Sequence, residues 1–291
     1  MTREAIGADS VRFTLHVSKM PVTKMLIQSK TNTRVKQLRA AFGGNARLSG
    51  GVAAIEGEHL LAEALRSGIV PKTVFLVDGL EIPKLPREVE VVRLTEAVFC
   101  SAVETASPQG VAALIEPPVF AIEDALVGTP LLVIAAGLQD PGNLGTLVRS
   151  AEAFGATGVL TTPGTVSAWN QKALRASVGS VFRMPVVGVS VDDVRGLKER
   201  GVRLFAAVGA ADARTESAVD ADFAGACAVM IGNEGAGLDA KWTKLADARV
   251  TVPCPGPVES LNAAVAGSVL LYEASRQRAE AHAVARAEVA R

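Results

Sequence analysis

The stretch "PLLVIAAGLQDPGNLGTLVRSAEAFGAT", residues 130–157, limits the possible folds of this chain more than any other. Pro130 to Ala136 is apolar without alternation, the pattern of a strand covered on both faces. Asp140, Pro141, Gly142 and Gly145 then crowd a turn, and Leu144, Leu147, Val148 and Ala151 recur at helical spacing. The same alternation continues towards the carboxyl end. "GVLTT", "MPVVGV", "RLFAAV", "CAVMIG" and "RVTVP" are short apolar strands separated by helical stretches. This order predicts an α/β domain on a mainly parallel sheet, spanning residues 131–291.

The amino-terminal half predicts a smaller α/β unit over residues 25–116. In "EGEHLLAEALRSGIV" Leu60, Leu61, Ala64 and Leu65 share one helical face, and "KTVFLVD" reads as a strand. Pro117 and Pro118 open a linker over 117–130, and residues 1–24 read as a flexible extension. The tail "SRQRAEAHAVARAEVAR" predicts a helix projecting into solvent.

Composition excludes several classes. With 291 residues, 49% of them hydrophobic, the chain can bury a full core. No apolar run approaches the roughly 20 residues of a membrane span, and the first residues lack an apolar signal region. A cytoplasmic protein with no membrane partner is expected. Cys100, Cys227 and Cys254 are widely spaced and form no C-x-x-C, so neither a disulfide framework nor a metal site is expected. His16, His59 and His282 lie outside the candidate loops, and His59 reads as a surface or packing residue.

Charge is balanced overall but uneven along the chain. From Ser10 to Ile55 there is no acid, while Arg12, Lys19, Lys24, Lys30, Arg34, Lys36, Arg39 and Arg47 fall in that window. A second acid-free window, Ala153 to Val191, carries Lys172, Arg175 and Arg183. Two such windows favour an anionic polymer, with Lys30, Arg34, Lys36, Arg39 and Arg175 as the candidate phosphate contacts. Each window alone is also consistent with a merely solvated face.

Ligands of open α/β sheets bind outside the carboxyl ends of strands, which selects three loops: the turn at 138–145, "MIGNEGAGLDA" and "VPCPGPVESLNAAVAGSVLLYEA". No G-x-x-x-x-G-K-[ST] string occurs, which argues against a P-loop ATPase. Gly232, Gly235 and Gly237 give G-x-x-G-x-G rather than the dinucleotide spacing G-x-G-x-x-G. The glycines nonetheless allow backbone to approach something closely, and Glu234 is expected to be buried among them.

Together the three loops resemble the motifs of the SpoU/TrmH-like RNA 2′-O-ribose methyltransferases of the SPOUT superfamily. "NLGTLVRSA" (Asn143 to Ala151), "GNEGAG" (Gly232 to Gly237) and Pro253 followed by "SLNAAVA" (Ser260 to Ala266) match in order and spacing. "SKTNTRVKQLRAA", "EGEHLLAEAL" and "SPQGVAALIE" are similar to the ribosomal-protein-like substrate-binding domain that precedes the catalytic domain in many members. The resemblance implies a carboxyl-terminal trefoil knot, S-adenosylmethionine as cofactor without a metal, a homodimer, and RNA as substrate. Ribosomal RNA is favoured over transfer RNA because of the separate amino-terminal domain.

Carried over by position, Gly209, Ile231, Gly232, Gly235, Val252, Pro253 and Leu261 would hold the cofactor, and Asn143, Arg149, Glu234, Ser260 and Asn262 would carry the chemistry. Arg149 lies off the apolar stripe of its helix. A guanidinium does not ordinarily lose its proton, so phosphate clamping and electrostatic support of a developing alkoxide suit it better than a base role. Asn143 stands at a helix start, where capping explains it as well as a role at the site does, whereas Ser260 and Asn262 both fall at the first turn of the last helix, where a cap accounts for one of them but not both. The alternatives are a catalytically inactive knotted RNA-binding or assembly protein, and a different small-ligand α/β enzyme.

Overall fold

The computed structural model describes residues 22–44, 51–209, 212, 214–258 and 260–289. Most of the expected extension, with Arg12, His16 and Lys19, and also Arg47, lies outside the described residues.

The amino-terminal unit runs β1 (Val22–Ile27), α1 (Thr33–Phe42), β2 (Ala53–Glu56), α2 (Glu58–Arg66), β3 (Thr73–Val77), β4 (Glu90–Leu94), α3 (Glu96–Cys100) and β5 (Val111–Ile115). Its sheet has the order β1-β4-β3-β5-β2. β1, β4 and β3 are parallel, and β5 is antiparallel to both of its neighbours. β1 starts at Val22, three residues inside the stretch expected as an extension. Asn32 caps α1 by accepting from the Arg34 amide, and the helix buries Val35, Leu38, Ala41 and Phe42.

The connection over 117–130 is packed rather than free. Ile122–Ala125 forms a 3-10 turn, and Ala125 is fully buried. It lies so close to the strand Gly158–Thr161 that a Cβ at Gly158 would stand 2.4 Å from the Ala125 Cβ.

The carboxyl-terminal domain follows as β6 (Leu131–Ala135), α4 (Pro141–Ala153), β7 (Gly158–Thr161), α5 (Gln171–Ser177), β8 (Val186–Gly188), α6 (Val191–Glu199), β9 (Arg203–Ala207), β10 (Thr215–Ser217), β11 (Cys227–Ile231), α7 (Ala240–Thr243), β12 (Ala248–Thr251) and α8 (Ala263–Val289). The seven strands are all parallel in the order β10-β12-β9-β11-β6-β7-β8. β6 and β11 are buried along their whole length, as strands covered on both faces must be. β10, with the polar sequence TES at the sheet edge, has no apolar pattern and was not anticipated. The chain leaves β6 towards β7 on one side and later sets β11 on the other. The carboxyl ends of β6 and β11 therefore flank a topological switch point, where open sheets form their ligand crevice.

Glycines set how closely helices approach that crevice. A Cβ on Gly145 of α4 would stand 2.3 Å from the Ala173 carbonyl oxygen of α5, and one on Gly267 of α8 would stand 2.5 Å from Leu147 Cδ1 of α4. The hydroxyls of Ser150 and Ser268 meet at 2.7 Å across the same α4–α8 contact. The tail is anchored further than expected. Arg278 donates to the carbonyls of Thr129, Pro130, Phe223 and Gly225, and only beyond it is the described helix exposed throughout.

The two domains are joined by side chains as well as by the connection. Gln171 Nε2 donates to the Ala54 carbonyl at 2.8 Å in a buried contact. Arg183 spans Glu63 and Ser67 of the amino-terminal domain, each at 3.0 Å, and Glu152 of α4 at 2.6 Å. The Arg183 hydrogen bond holds the Glu152 carboxyl below its ordinary value of 4.5, against the opposing effect of burial. A carboxyl depressed by folding contributes stability above its ordinary value and loses it as pH falls through the lower folded value. Arg183→Ala should therefore lower stability at neutral pH by roughly 1 to 3 kcal/mol, because nearly buried Glu63 loses a partner. Its urea midpoint should also fall less than that of the parent between about pH 6 and pH 4. Parallel pH profiles for the two proteins would remove this clamp from the stability of the fold.

Candidate active site

Three loops meet at the switch point, and one chain of amides joins them. α4 is capped by Asp140, which accepts from the Asn143 amide at 2.9 Å, with Pro141 at the first helical position. Asn143 is therefore not the cap, and its side chain is free to reach out. Its Nδ2 donates to Glu234 Oε1 at 2.8 Å, and its Oδ1 accepts from Asn262 Nδ2 at 3.0 Å. Asn262 in turn caps α8, its Oδ1 accepting from the amides of Ala264 at 2.9 Å and Val265 at 3.2 Å.

The direction of this relay is fixed at its α8 end. Because the Asn262 oxygen is committed to helix amides, its nitrogen must face Asn143, and the Asn143 nitrogen must then face Glu234. Capping and a role at the site, alternatives in the sequence, are thus combined in Asn262.

Glu234 is exposed, not buried among the glycines as the sequence suggested. The loop turns outward because Asn233 holds it from inside. Its backbone pairs with Gly237 in both directions at 2.9 Å, and its Oδ1 accepts from the Gly235 and Ala236 amides. Partial desolvation raises the Glu234 carboxyl, but the Asn143 side chain and the backbone amides of Glu234, Gln139 and Asp140 outweigh it and hold it below 4.5. It is ionised at neutral pH and aimed from two helix starts.

Beneath the relay lies a cleft of about 220 Å³ between the loops that follow β9, β11 and β12. Gly209, Ile231, Gly232, Gly235, Val252 and Leu261 line it, as do Ser260 and Glu234. Pro253, between two lining residues, is exposed and does not line the cleft. Gly232 has no room for a side chain: a Cβ there would stand 2.3 Å from the Gly237 carbonyl carbon and 2.4 Å from the Leu238 nitrogen. Apolar walls with accessible backbone suit a planar base and a cationic thioether better than a metal. Among the described residues no cluster of histidine, cysteine and carboxylate could hold a metal ion.

Comparison with known proteins bears on this geometry. Residues 130–272 match the SpoU rRNA Methylase family, and residues 32–113 match the MRM3-like substrate binding domain. The chain is 35% identical to the 23S rRNA (guanosine(2553)-2′-O)-methyltransferase RlmP of Bacillus subtilis, over 84% of this chain and 97% of the relative.

The chain belongs to the SpoU rRNA methylase family.

A second relative in this family, the 23S rRNA (uridine(2479)-2′-O)-methyltransferase of Streptomyces viridochromogenes, is 31% identical over 85% of this chain and 91% of its own length. The crystal structure of the SpoU methyltransferase AviRb from the same organism, in complex with AdoMet, superposes with a TM-score of 0.75 at 30% identity, covering 85% of this chain and 98% of that one. The chain is accordingly an RNA 2′-O-ribose methyltransferase that uses S-adenosylmethionine.

For a SpoU enzyme the fold gathers most, but not all, of the expected residues. Asn143, Glu234 and Asn262 are directly bonded, and Ser260 lies on the cleft wall. Arg149 stands apart, exposed on α4 and without an ion pair to a described residue. Six residues at 1.5 Å rise set it roughly 9 Å along the helix from Asn143 and on another side.

The basic windows are not acid-free in space. Lys172 is taken by Asp140 at 2.6 Å, Arg183 by Glu152 and Glu63, and Arg34 by Glu90, while Arg39 donates to Ser101. Lys30, Lys36 and Arg175 remain exposed without such partners among the described residues. Sequence reasoning missed the organising role of Asn233 and the presence of Cys254 on the cleft wall. An asparagine inside a glycine loop was the available signal for the first.

Proposed function

We propose that this chain methylates a ribose 2′-hydroxyl of large-subunit ribosomal RNA, in the cytoplasm, as a homodimer with a knotted carboxyl terminus. The observation that carries the reading is the Glu234–Asn143–Asn262 relay standing over a backbone-lined cleft. The relatives named above are 23S rRNA methyltransferases, and the matched amino-terminal domain is a substrate-binding one.

S-adenosylmethionine, when bound, supplies an electrophilic methyl group. The residues of this chain do the rest. Gly232 and Gly235 offer backbone, and Ile231, Val252 and Leu261 offer apolar walls. Glu234, fixed by Asn143, accepts a hydrogen bond from the ribose hydroxyl and so orients its oxygen for in-line attack. The developing alkoxide needs a cation, and Arg149 is the unpaired one on the motif helix.

Arg149 and Asn143 stand on different sides of α4, and in this reading Arg149 serves the ribose bound by a second copy. Val265, Val269 and Tyr272 form an exposed apolar stripe on α8, beside the Ser150–Ser268 contact and edge-on to Phe154. Apposing two such stripes covers them and carries Arg149, next to Ser150, into the partner's territory. The knot belongs to the same reading, supported by the position of Val252, Cys254, Ser260 and Leu261, beyond β12, on the walls of the cleft that the 231–237 loop also lines.

Mapping 2′-O-methyl sites on total RNA with and without this protein tests the reading. One site in large-subunit RNA should disappear, whereas retained RNA binding with no lost site would restore the inactive binding protein. The basic window gives a second test. Lys30→Ala with Lys36→Ala should flatten the salt dependence of RNA binding by about two slope units and leave cofactor affinity unchanged. Arg34→Ala and Arg39→Ala should change it less, since Glu90 and Ser101 already engage them. An unchanged slope in the double variant would move the RNA surface elsewhere.

A further inference from the structure

Between the domains lies a second pocket, of about 210 Å³. Its walls come from both units: Glu56 at the end of β2, Gly57, His59 and Leu60 at the start of α2, Thr105, Ser107 and Gln109 before β5, and Arg175 and Val178 at the end of α5. The buried Gln171–Ala54 tie holds the α5 wall against β2, so the pocket is part of the rigid interface. Its floor is apolar, through Leu60 and Val178, and its rim is polar.

Four rim side chains, Arg175, His59, Gln109 and Ser107, are exposed and make no hydrogen bond or ion pair with a described residue. Thr105 and Glu56 by contrast satisfy each other at 2.5 Å. Val178 closes α5 at φ 51°, left-handed backbone that a β-branched residue rarely adopts, and this strained turn forms part of the pocket wall.

The pocket is tied to the active site through α5. Lys172 reaches Asp140, the cap of the helix that carries Asn143, and Arg175 lies three residues further, on the same face. Three residues are about 4.5 Å along the helix axis, so the two cations are neighbours on that face. Of the three cations in the second basic window, Arg175 is the one that folding leaves uncommitted.

We propose that this interdomain pocket receives an unstacked nucleotide of the RNA substrate near the methylated one, with its phosphate on Arg175, its base against Leu60 and Val178, and its edge read by Gln109, Ser107 and His59. A base-sized cavity with an apolar floor, unpaired donors and one cation matches single-stranded RNA, whose unstacked bases present both a face and an edge. The inference rests on the RNA methylation reading and adds a specificity site to it.

The probe is in vitro transcribed 23S ribosomal RNA containing 4-thiouridine, with full-length protein. Arg175→Ala and Gln109→Ala should each raise KM for this RNA about tenfold, Arg175→Ala reducing the salt slope by about one unit as well. Cofactor affinity and thermal unfolding should match the parent, which a merely structural role would not allow. Arg195→Ala, an exposed cation paired with Asp192 on α6, serves as the charge control and should not change KM. Crosslinked peptides should include His59 or Gln109 in the parent and lose them in Arg175→Ala. If the parent methylates this RNA but both pocket variants behave like Arg195→Ala, and no crosslink maps to the pocket, the proposal is overturned. If the parent neither binds nor methylates RNA, the functional reading fails instead.

Discussion

Arg149→Ala should transfer methyl groups to RNA on the order of 10² to 10³ more slowly than the parent in single turnover, the usual effect of removing a preorganised charge from a developing oxyanion. Stability should hardly move. Leu144, Leu147, Val148 and Ala151 of the same helix are fully buried, whereas Arg149 is exposed and partnered by no described residue. Exposed substitutions of this kind usually stay within about 0.5 kcal/mol. Arg149→Lys should recover little, since an ammonium lacks the planar fork of the guanidinium. Thermal unfolding of the same samples separates the outcomes. Methylation at the parent rate would reduce Arg149 to a surface residue, and outright unfolding would contradict the packing of α4.

Gly232→Ala should lose cofactor affinity roughly 10- to 100-fold, the equivalent of the roughly 1 to 3 kcal/mol that overpacking the loop costs. The added Cβ would meet backbone, not a yielding side chain, at 2.3 Å from the Gly237 carbonyl carbon. The Asn233–Gly237 pair must then open, and Glu234 is lost from its hydrogen bond to Asn143 with it. Overpacking of this kind also costs roughly 1 to 3 kcal/mol of stability. Gly188→Ala is the control, since Gly188 is exposed, lies outside the cleft and its Cβ would meet nothing within 4 Å. Calorimetric titration with S-adenosylmethionine distinguishes the two, and equal affinities would mean that the tight loop is not what shapes the cleft.

The sequence by itself determined seven strands in chain order, β3, β6 to β9, β11 and β12, the helices α2, α4 and α8, and, through the resemblance of three loops, the chemistry class, whereas β1, β2, β4 and β5 were not read from it. Strands buried on both faces must be continuously apolar, so "LLVIA" and "CAVMI" announce themselves, and the motif loops follow them directly. It missed β10, whose three polar residues at a sheet edge bury no alternating face. Gly232, singled out in the sequence for close backbone approach, lies on the cleft wall where a Cβ would meet backbone at 2.3 Å, because such a need is local and glycine meets it.

Only the tertiary structure decided what depends on partners distant in sequence. The Asn143–Glu234 bond spans 91 positions and the Asn143–Asn262 bond 119, so no local pattern could assign which amide faced which. Charge shows the same limit. A window free of acids along the chain acquires them in space, as Lys172 finds Asp140 and Arg34 finds Glu90. Electrostatic interaction falls with distance through space, not along the sequence. Residue type and local spacing therefore fixed the elements and the kind of site, whereas packing chose the cap of α4, exposed Glu234 and left Arg149 and Arg175 as uncommitted cations.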